Sequence, residues 1–438
     1  GLLLPLPAHA DPIRRLSGWA RLWTPVYISD LALSDFRSYD ELVLALEPGP
    51  TALIGPNGQG KTNLVEAVAY LSTLSSHRAG ADTALVRRAP PGEPQPGGAV
   101  VRAKVVHGER PSVLEIEIIA GRANRARLNR AAVRPRDLLG ILRTVVFAPE
   151  DLALVREEPG VRRRFLDDLA VTLRPSLAGV RAEHDKILSQ RSSLLKSARA
   201  ARRSGGVPAS MISSLEVWDA QLAAAAARLM AARTDVVARL RPWVAASYER
   251  VSRGQSAARL AYRSSLLLHE GRPEPGPGGE AAASHAQDIE TEHIETELAD
   301  VAATAARLET AMSELRGREI DRGTNLVGAH RDDLVLHLGD LPAKGFASHG
   351  EQWSLALALR LASYEMLRRD VDAYGGDGEP VLILDDVFSS LDAGRRAALA
   401  DVVAGAQQAL LTAAVDDDVP AELAGTRLRV SASGVGRG

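Results

Sequence analysis

The sequence predicts an α/β fold whose sheet is assembled from the two ends of the chain around a mainly helical inserted lobe. Three observations predict it. A short apolar strand, TALI, runs at Gly55 into the glycine-rich stretch GPNGQGKT and from there into a segment with helical spacing. A second apolar strand, VLIL, ends in the paired carboxylates Asp385 and Asp386. Between these ends, alternating patterns give way from about Gly160 to long stretches rich in Ala, Leu and Arg.

Taken in order, the regular text begins near Val26, where VYISDLALSDF and then LVLALEPG alternate as half-buried strands do. After Lys61, the residues Leu64, Val65, Val68 and Leu71 recur at helical spacing. Strands are expected at AVVRAKVV, SVLEIEIIA and RTVVFAP, with a Pro/Gly-rich loop at APPGEPQPGG. The stretches VRRRFLDDLAVTL, GVRAEHDKILSQRSSLLKSARAARR and WDAQLAAAAARLMAARTDVVARLRPWV read as long helices. A Pro/Gly-rich and then acidic connection leads into another helix that ends near RLETAMSELRGREI. Strand and helix patterns return with LVLHLGDLP, EQWSLALALRLASYEMLRR, PVLILDD, AGRRAALADVVAGA and QALLTA.

The expected division is a poorly ordered leader over 1–24 and an N-terminal head segment over 25–160. A helical lobe over 161–324 follows, with a flexible stretch at 268–290. A C-terminal head segment over 325–425 and a tail over 426–438 complete it. The chain has 438 residues, beyond one ordinary domain, which agrees with two lobes.

Lys plus Arg number 53 against 55 for Asp plus Glu, a formal net charge of −2, so any surface for a polyanion must be a local patch. The absence of cysteine excludes disulfides, thiolate metal sites and cysteine nucleophiles, and suits a reducing cytoplasm. No apolar run is long enough to span a bilayer as a helix, so no membrane association is expected.

GPNGQGKT fits the P-loop pattern at every fixed position. Gly55, Pro56, Asn57, Gly58, Gln59 and Gly60 form the loop whose N–H groups meet phosphate oxygens, aided by the helix N-terminus that follows. Lys61 is expected on the β and γ phosphates of ATP, and Thr62 on Mg²⁺. Asp385 is expected to hold Mg²⁺, directly or through water, and Asp386 to polarise the attacking water. By itself VLILDD also suits a buried strand ending in a helix-capping Asp.

SHGEQ (348–352) opens an amphipathic helix, a second phosphate-seeking N-terminus. Alone it reads as an ordinary cap. Beside the other motifs it suggests a site shared between two copies of the chain, with Ser348 covering in trans the γ-phosphate held by a partner. SSLD, just after the acidic pair, is expected along the same face.

These residues together resemble ABC-type ATPase heads, and more narrowly the RecF family, ATPases related to SMC proteins. FRSYDELVLALEPGPTALIGPNGQGKTNLVEAV, LSSHR, FAPEDLALVREEPGVRRRFLD, GAHRDDL, FASHGEQWSLALALRLA and LILDDVFSSLD carry the resemblance, in the family's order, from about Val26 to Pro420. It implies an ATP-dependent homodimer, slow DNA-stimulated ATP hydrolysis and binding to double-stranded and gapped or junction DNA. It further implies work with RecO and RecR in loading RecA, and in the SOS response. Departures are His349 where transporter signatures have Gly, Thr412 where many ABC ATPases place a switch histidine, and Ala329 where Pro is expected. Asp386 stands where the class often has Glu; the RecF family shares the Asp, and the shorter reach suits slow turnover.

By the same resemblance Phe36, Arg37 and Tyr39 match a loop near the adenine, with Arg37 a nucleotide contact or a surface ion pair. His77 and Arg78 match a motif facing nucleotide or DNA. Candidate DNA-phosphate contacts are Arg162, Arg163 and Arg164, then Lys186, Arg191, Lys196, Arg199, Arg202 and Arg203; solvated helix faces are the bland alternative. His330 reads as a structural histidine of its motif. Two rivals stay open. A transporter ATPase subunit would call for a switch histidine and a smaller insertion, and a nucleotide-gated adaptor would share every motif but not turn over.

Overall fold

The computed structural model describes residues 26–76, 78–252, 256–272, 295–370, 378–423, 425–431 and 434–437. The expected leader over 1–24, most of the expected flexible stretch at 268–290, and His77 lie outside the described residues.

The two ends of the chain do share one sheet. In it β3 (Gly49–Ile54) and β8 (Thr144–Phe147) from the N-terminal half flank β13 (Gln408–Ala413) and β12 (Val381–Asp385), and these four strands are parallel. Parallel strands covered on both faces read as unbroken apolar runs, as VLIL and ALL do. Along β12, Val381 and Ile383 pack toward the helix that follows the P-loop, while Leu382 and Leu384 pack toward the helical lobe.

The expected tail is instead part of this sheet. Strand β14 (Thr426–Ser431) pairs in parallel with β3, and β15 (Gly434–Arg437) returns antiparallel to it. The alternation in TRLRVS places Leu428 and Val430 in the core and its two arginines outside.

A second, antiparallel sheet runs β2–β1–β4–β5–β6–β7. Its strands are β1 (Val26–Phe36), β2 (Tyr39–Ala45), β4 (Gly98–His107), β5 (Arg110–Ile119), β6 (Arg125–Leu128) and β7 (Ala131–Val133). It covers helix α1 (Lys61–Thr73), whose Leu64, Val65, Val68 and Leu71 fill the space between the two sheets. Two successive glutamines join the sheets. Gln407 Oε1 accepts from Val26 N–H at 2.7 Å, and the buried Gln408 amide accepts from Ile28 N–H at 2.8 Å and donates to Ile28 O at 2.9 Å.

The long helices described in the helical lobe are α2 (Pro159–Leu173), α3 (Leu177–Arg203), α4 (Ala209–Ser252) and α5 (Val301–Arg322). Helix α4, 44 residues long, continues through Pro242 and packs against α3, α5 and α6 (His349–Arg368). The boundary expected at 324/325 does not separate head from lobe. β10 (Asp333–Leu338) pairs with β9 (Ala258–Arg263) of the insertion and with the short β11 (Leu341–Pro342) in a three-stranded sheet. Helix α7 (Ala393–Ala404) leads from the acidic pair to β13.

Candidate nucleotide-binding site

The P-loop is shaped by close approach as well as by turn geometry. A Cβ on Gly55 would stand 2.1 Å from the carbonyl oxygen of Val430 in β14. The loop's first glycine is therefore demanded by the C-terminal strand. At Gly60 φ is +98°, and a Cβ would meet Tyr39 Oη at 2.7 Å and Ser38 Oγ at 2.8 Å.

Lys61, at the first turn of α1, donates to Gly55 O at 2.6 Å and to Pro56 O at 2.9 Å. Burial pulls its ammonium below the usual lysine range, against the opposing pull of Asp386 and Asp385. Thr62 Oγ1 donates to Asp385 Oδ1 at 2.9 Å, so residues 323 positions apart meet at the loop. Thr412, at the end of β13, completes the arrangement: its Oγ1 donates to Asp385 Oδ1 at 2.7 Å and accepts from Asp386 N–H at 2.9 Å. Thr412 thus links the two acids at the position where the sequence lacks a switch histidine. Sequence reasoning set it aside for lacking an imidazole and missed that role.

Asp386 has φ +52°, the left-handed region in which Asp and Asn are enriched among non-glycine residues. The backbone thus gives a reason for Asp over the longer Glu. Ser389 of SSLD donates to Asp386 O at 2.9 Å and to its Oδ1 at 3.2 Å.

Thr62 and Asp385 present oxygens side by side, and no ion pair engages Asp385 among the described residues. No group of three or more His, Cys, Asp or Glu that could hold a metal occurs among the described residues. One carboxylate and one hydroxyl, completed by phosphate oxygens, fit Mg²⁺, which is commonly held by few protein ligands plus substrate phosphate.

Arg37 lies on a buried carboxylate. Its Nε and Nη2 donate to Glu66 Oε2 and Oε1 at 2.9 and 2.7 Å, with Arg78 at 3.5 Å and Ser76 Oγ at 2.5 Å from the same group. Burial pushes the Glu66 carboxyl up, but hydrogen bonds from Arg37 and Ser76 and the charges of both arginines outweigh it and hold it below the usual carboxylate range. Phe36 is fully buried, and Tyr39 adjoins Gly60.

Ser348 caps α6: its Oγ accepts from Glu351 N–H at 3.3 Å, and Glu351 Oε2 accepts from Ser348 N–H at 2.8 Å, a reciprocal capping box. His349 is exposed. Arg156 lies 2.5 Å from its Nδ1 and donates to Gln352 Oε1 at 2.5 Å. SSLD is tied to the same helix end through Arg395, which pairs with Asp392 and donates to Ser354 Oγ at 2.8 Å and Gly350 O at 2.7 Å.

Two proposed DNA contacts are overturned. Arg162 is buried, donating to both oxygens of Asp333 at 2.8 and 2.9 Å and to Leu154 O and Glu157 O. Arg191, wholly buried, binds Asp219 and Glu319 at 2.7 Å each and also Asn325. Both serve the lobe's interior and present nothing to a phosphate. Arg163 and Arg164 donate to the carbonyls of Asp332 and Ser76, and Arg199 to that of Arg322. Arg202 pairs with Asp321. Lys186, Lys196 and Arg203 are exposed.

The long motifs find structural roles. Asp151 binds Arg360 of α6, Asp167 binds Arg233 of α4, and Asp332 accepts from Tyr262 Oη and Ser265. His330 is half-buried, with both ring nitrogens shielded from solvent; that shielding, then the nearby His184, pull it down to about 3 despite an opposing hydrogen bond with the Asn325 backbone.

A family model described as RecF/RecN/SMC N terminal domain matches residues 27–423. The protein named DNA replication and repair protein RecF from Beutenbergia cavernae is 58% identical over 407 residues, covering 92% of this chain and 98% of the relative. The protein of the same name from Frankia alni is 51% identical, covering 94% and 99%. Among solved structures, the recombination mediator protein RecF-ATPrS in the RecFOR pathway superposes with TM-score 0.77 at 22% identity, over 95% of this chain and 99% of that one. Its RecF-ATP counterpart gives 0.76 at 22%, over 96% and 99%. That likeness shows the fold, an ABC-ATPase-like head with a helical lobe.

Proposed function

The chain belongs to the RecF family, and on that premise we propose that it is an ATP-dependent DNA-binding protein of recombinational and replication-gap repair. The observation that carries the reading is the convergence of Lys61, Thr62, Asp385, Asp386 and Thr412 from the two ends of the chain at one loop. ATP lies on the loop's N–H groups, with Lys61 on its outer phosphates and Thr62 and Asp385 holding Mg²⁺. When bound, Mg²⁺ neutralises charge on the phosphate oxygens. Asp386 orients the attacking water, and turnover is slow.

Ser348 supports a shared site. Its hydroxyl is exposed at the N-terminus of a 20-residue helix, where a partner's γ-phosphate would meet both the side chain and the positive helix end. ATP then closes a homodimer on double-stranded or gapped DNA, and hydrolysis reopens it. The repair assignment further supports action with RecO and RecR in loading RecA and in the SOS response.

Sedimentation velocity with and without Mg-ATP tests the shared site. Wild type is expected to dimerise only with ATP, and Ser348→Arg to bind ATP and remain monomeric. A Ser348→Arg protein that dimerises like wild type removes Ser348 from the mechanism.

A further inference from the structure

Because Arg162 and Arg191 are spent inside the lobe, the exposed cations elsewhere decide where a nucleic-acid backbone can be met. The fifteen residues RANRARLNRAAVRPR, from Arg122 to Arg136, carry six arginines and no acidic residue, in a chain whose net charge is −2. They form the β6–β7 hairpin and its flanks at one edge of the antiparallel sheet.

The turn residues Asn129 and Arg130 have φ of +49° and +72°, as a two-residue hairpin connection requires, and place Arg130 at the exposed tip. In β6 the alternation buries Ala126 and turns Arg125 and Arg127 outward. Arg127 is oriented by Glu115, which it approaches to 2.5 Å and shares with Arg102; Arg125 lies 3.9 Å from Glu117, and Arg134 pairs with Asp137 at 2.9 Å. Arg122, Arg130 and Arg136 are exposed and make no side-chain hydrogen bond or ion pair among the described residues.

Charges commonly guard an exposed sheet edge against pairing, but the edge strand here, Ala131–Val133, carries none. The arginines sit on the turn, the flanks and β6. At its far end the hairpin adjoins the helical lobe: Arg136 Nη1 lies 3.7 Å from where a Cβ on Gly179 would stand, in the first turn of α3. Exposed Lys186 and Lys196 lie further along that helix.

We infer that the β6–β7 hairpin, through Arg122, Arg130 and Arg136 with Arg125 and Arg127, is a contact surface for the phosphate backbone of duplex DNA. This rests on the reading of the chain as DNA-binding. The contact is indifferent to sequence, since guanidinium groups on phosphates fix position rather than read bases.

The test is binding of a labelled duplex across a salt series in Mg-ATP, with ATP affinity measured in parallel. Wild type is compared with Arg122→Ala/Arg130→Ala, with Lys186→Ala/Lys196→Ala, and with Arg228→Ala/Arg318→Ala as a charge-matched control on exposed helical positions. Each lost phosphate contact makes the negative slope of log K against log [salt] shallower by about 0.9. The hairpin pair is expected to make it shallower by about 2 with ATP affinity unchanged, and the control pair to leave it near wild type. A wild-type slope in the hairpin variant, or an equal loss in the control, overturns the hairpin while leaving DNA binding intact. Absence of salt-dependent binding by wild type itself overturns the DNA-binding reading and the hairpin with it.

Discussion

In the helical lobe, Asp167, Asp219, Glu319 and Asp333 are buried, and each is met by a guanidinium: Arg233, Arg191 for the middle pair, and Arg162. In the head, Asp385 is as deeply buried at 5% exposure, but its hydrogen bonds come from the hydroxyls of Thr62 and Thr412. The lobe cancels its buried charges internally. The head leaves one with no ion pair among the described residues, as the proposed Mg²⁺ site would require. The contrast separates an ion pair that specifies packing from a carboxylate available for chemistry, a distinction that composition does not carry. Asp332 is the lobe's own exception, since Tyr262 and Ser265 hold it; burial raises its carboxyl despite those hydrogen bonds.

The largest expected effect lies on the head's side of this contrast. Asp385→Asn and Asp386→Asn should each lower ATP turnover by about 10²–10⁴-fold. Asp385→Asn should leave thermal stability unchanged or raised, because it removes a buried charge that no ion pair engages among the described residues. Calorimetry beside a phosphate-release assay checks both. A marked loss of stability would place Asp385 with the lobe's structural acids.

On the lobe's side, Arg191→Met leaves Glu319 buried without its guanidinium partner and Asp219 with Arg316 alone. A loss of about 3–5 kcal/mol in urea unfolding is expected. A loss below about 1 kcal/mol would show that Arg316, 3.1 Å from Asp219, compensates for the missing charge.

His330 gives the contrast a pH dependence. Its imidazole is held down to about 3 in the fold against an ordinary 6.5. The unfolded chain therefore takes up a proton that the folded chain refuses, and stability present above pH 6.5 is lost as pH falls. The slope is up to about 1.4 kcal/mol per pH unit. His330→Gln should flatten the stability profile between pH 6 and 4; an unchanged profile would assign the acid sensitivity to other groups.

The smallest effect concerns Thr412. Thr412→Val removes one hydrogen bond to Asp385 and one from Asp386 N–H. Each such bond is worth about 1 kcal/mol, so turnover should fall by up to about thirtyfold with ATP affinity nearly retained. A fall as deep as that of Asp386→Asn would make Thr412 as central as the acids it links.

Most of the head was legible because its signals are local. GPNGQGKT, VLILDD and SHGEQ each fix a loop, a strand end or a helix cap within a few residues, and β1 and β13 fall on their expected spans. What was missed depends on partners far away in sequence. TRLRVS has strand alternation, but only its pairing with β3 shows that the supposed tail holds Gly55 in place. ARLAYR becomes a strand through β10, more than sixty residues on. Arg162 and Arg191 sit in the same Arg-rich text as Lys186 and Lys196, and nothing local distinguishes an arginine that turns inward to an acid from a cation that faces solvent.

The account turns on ATP gating a dimer that holds DNA. The direct measurement is fluorescence anisotropy of a labelled duplex at one fixed salt concentration, with and without Mg-ATP, for wild type, Lys61→Ala and Ser348→Arg. ATP should tighten binding by wild type, and both substitutions should abolish that gain. Binding that is absent, or the same with and without ATP, would contradict the ATP-gated dimer and favour a nucleotide-gated adaptor.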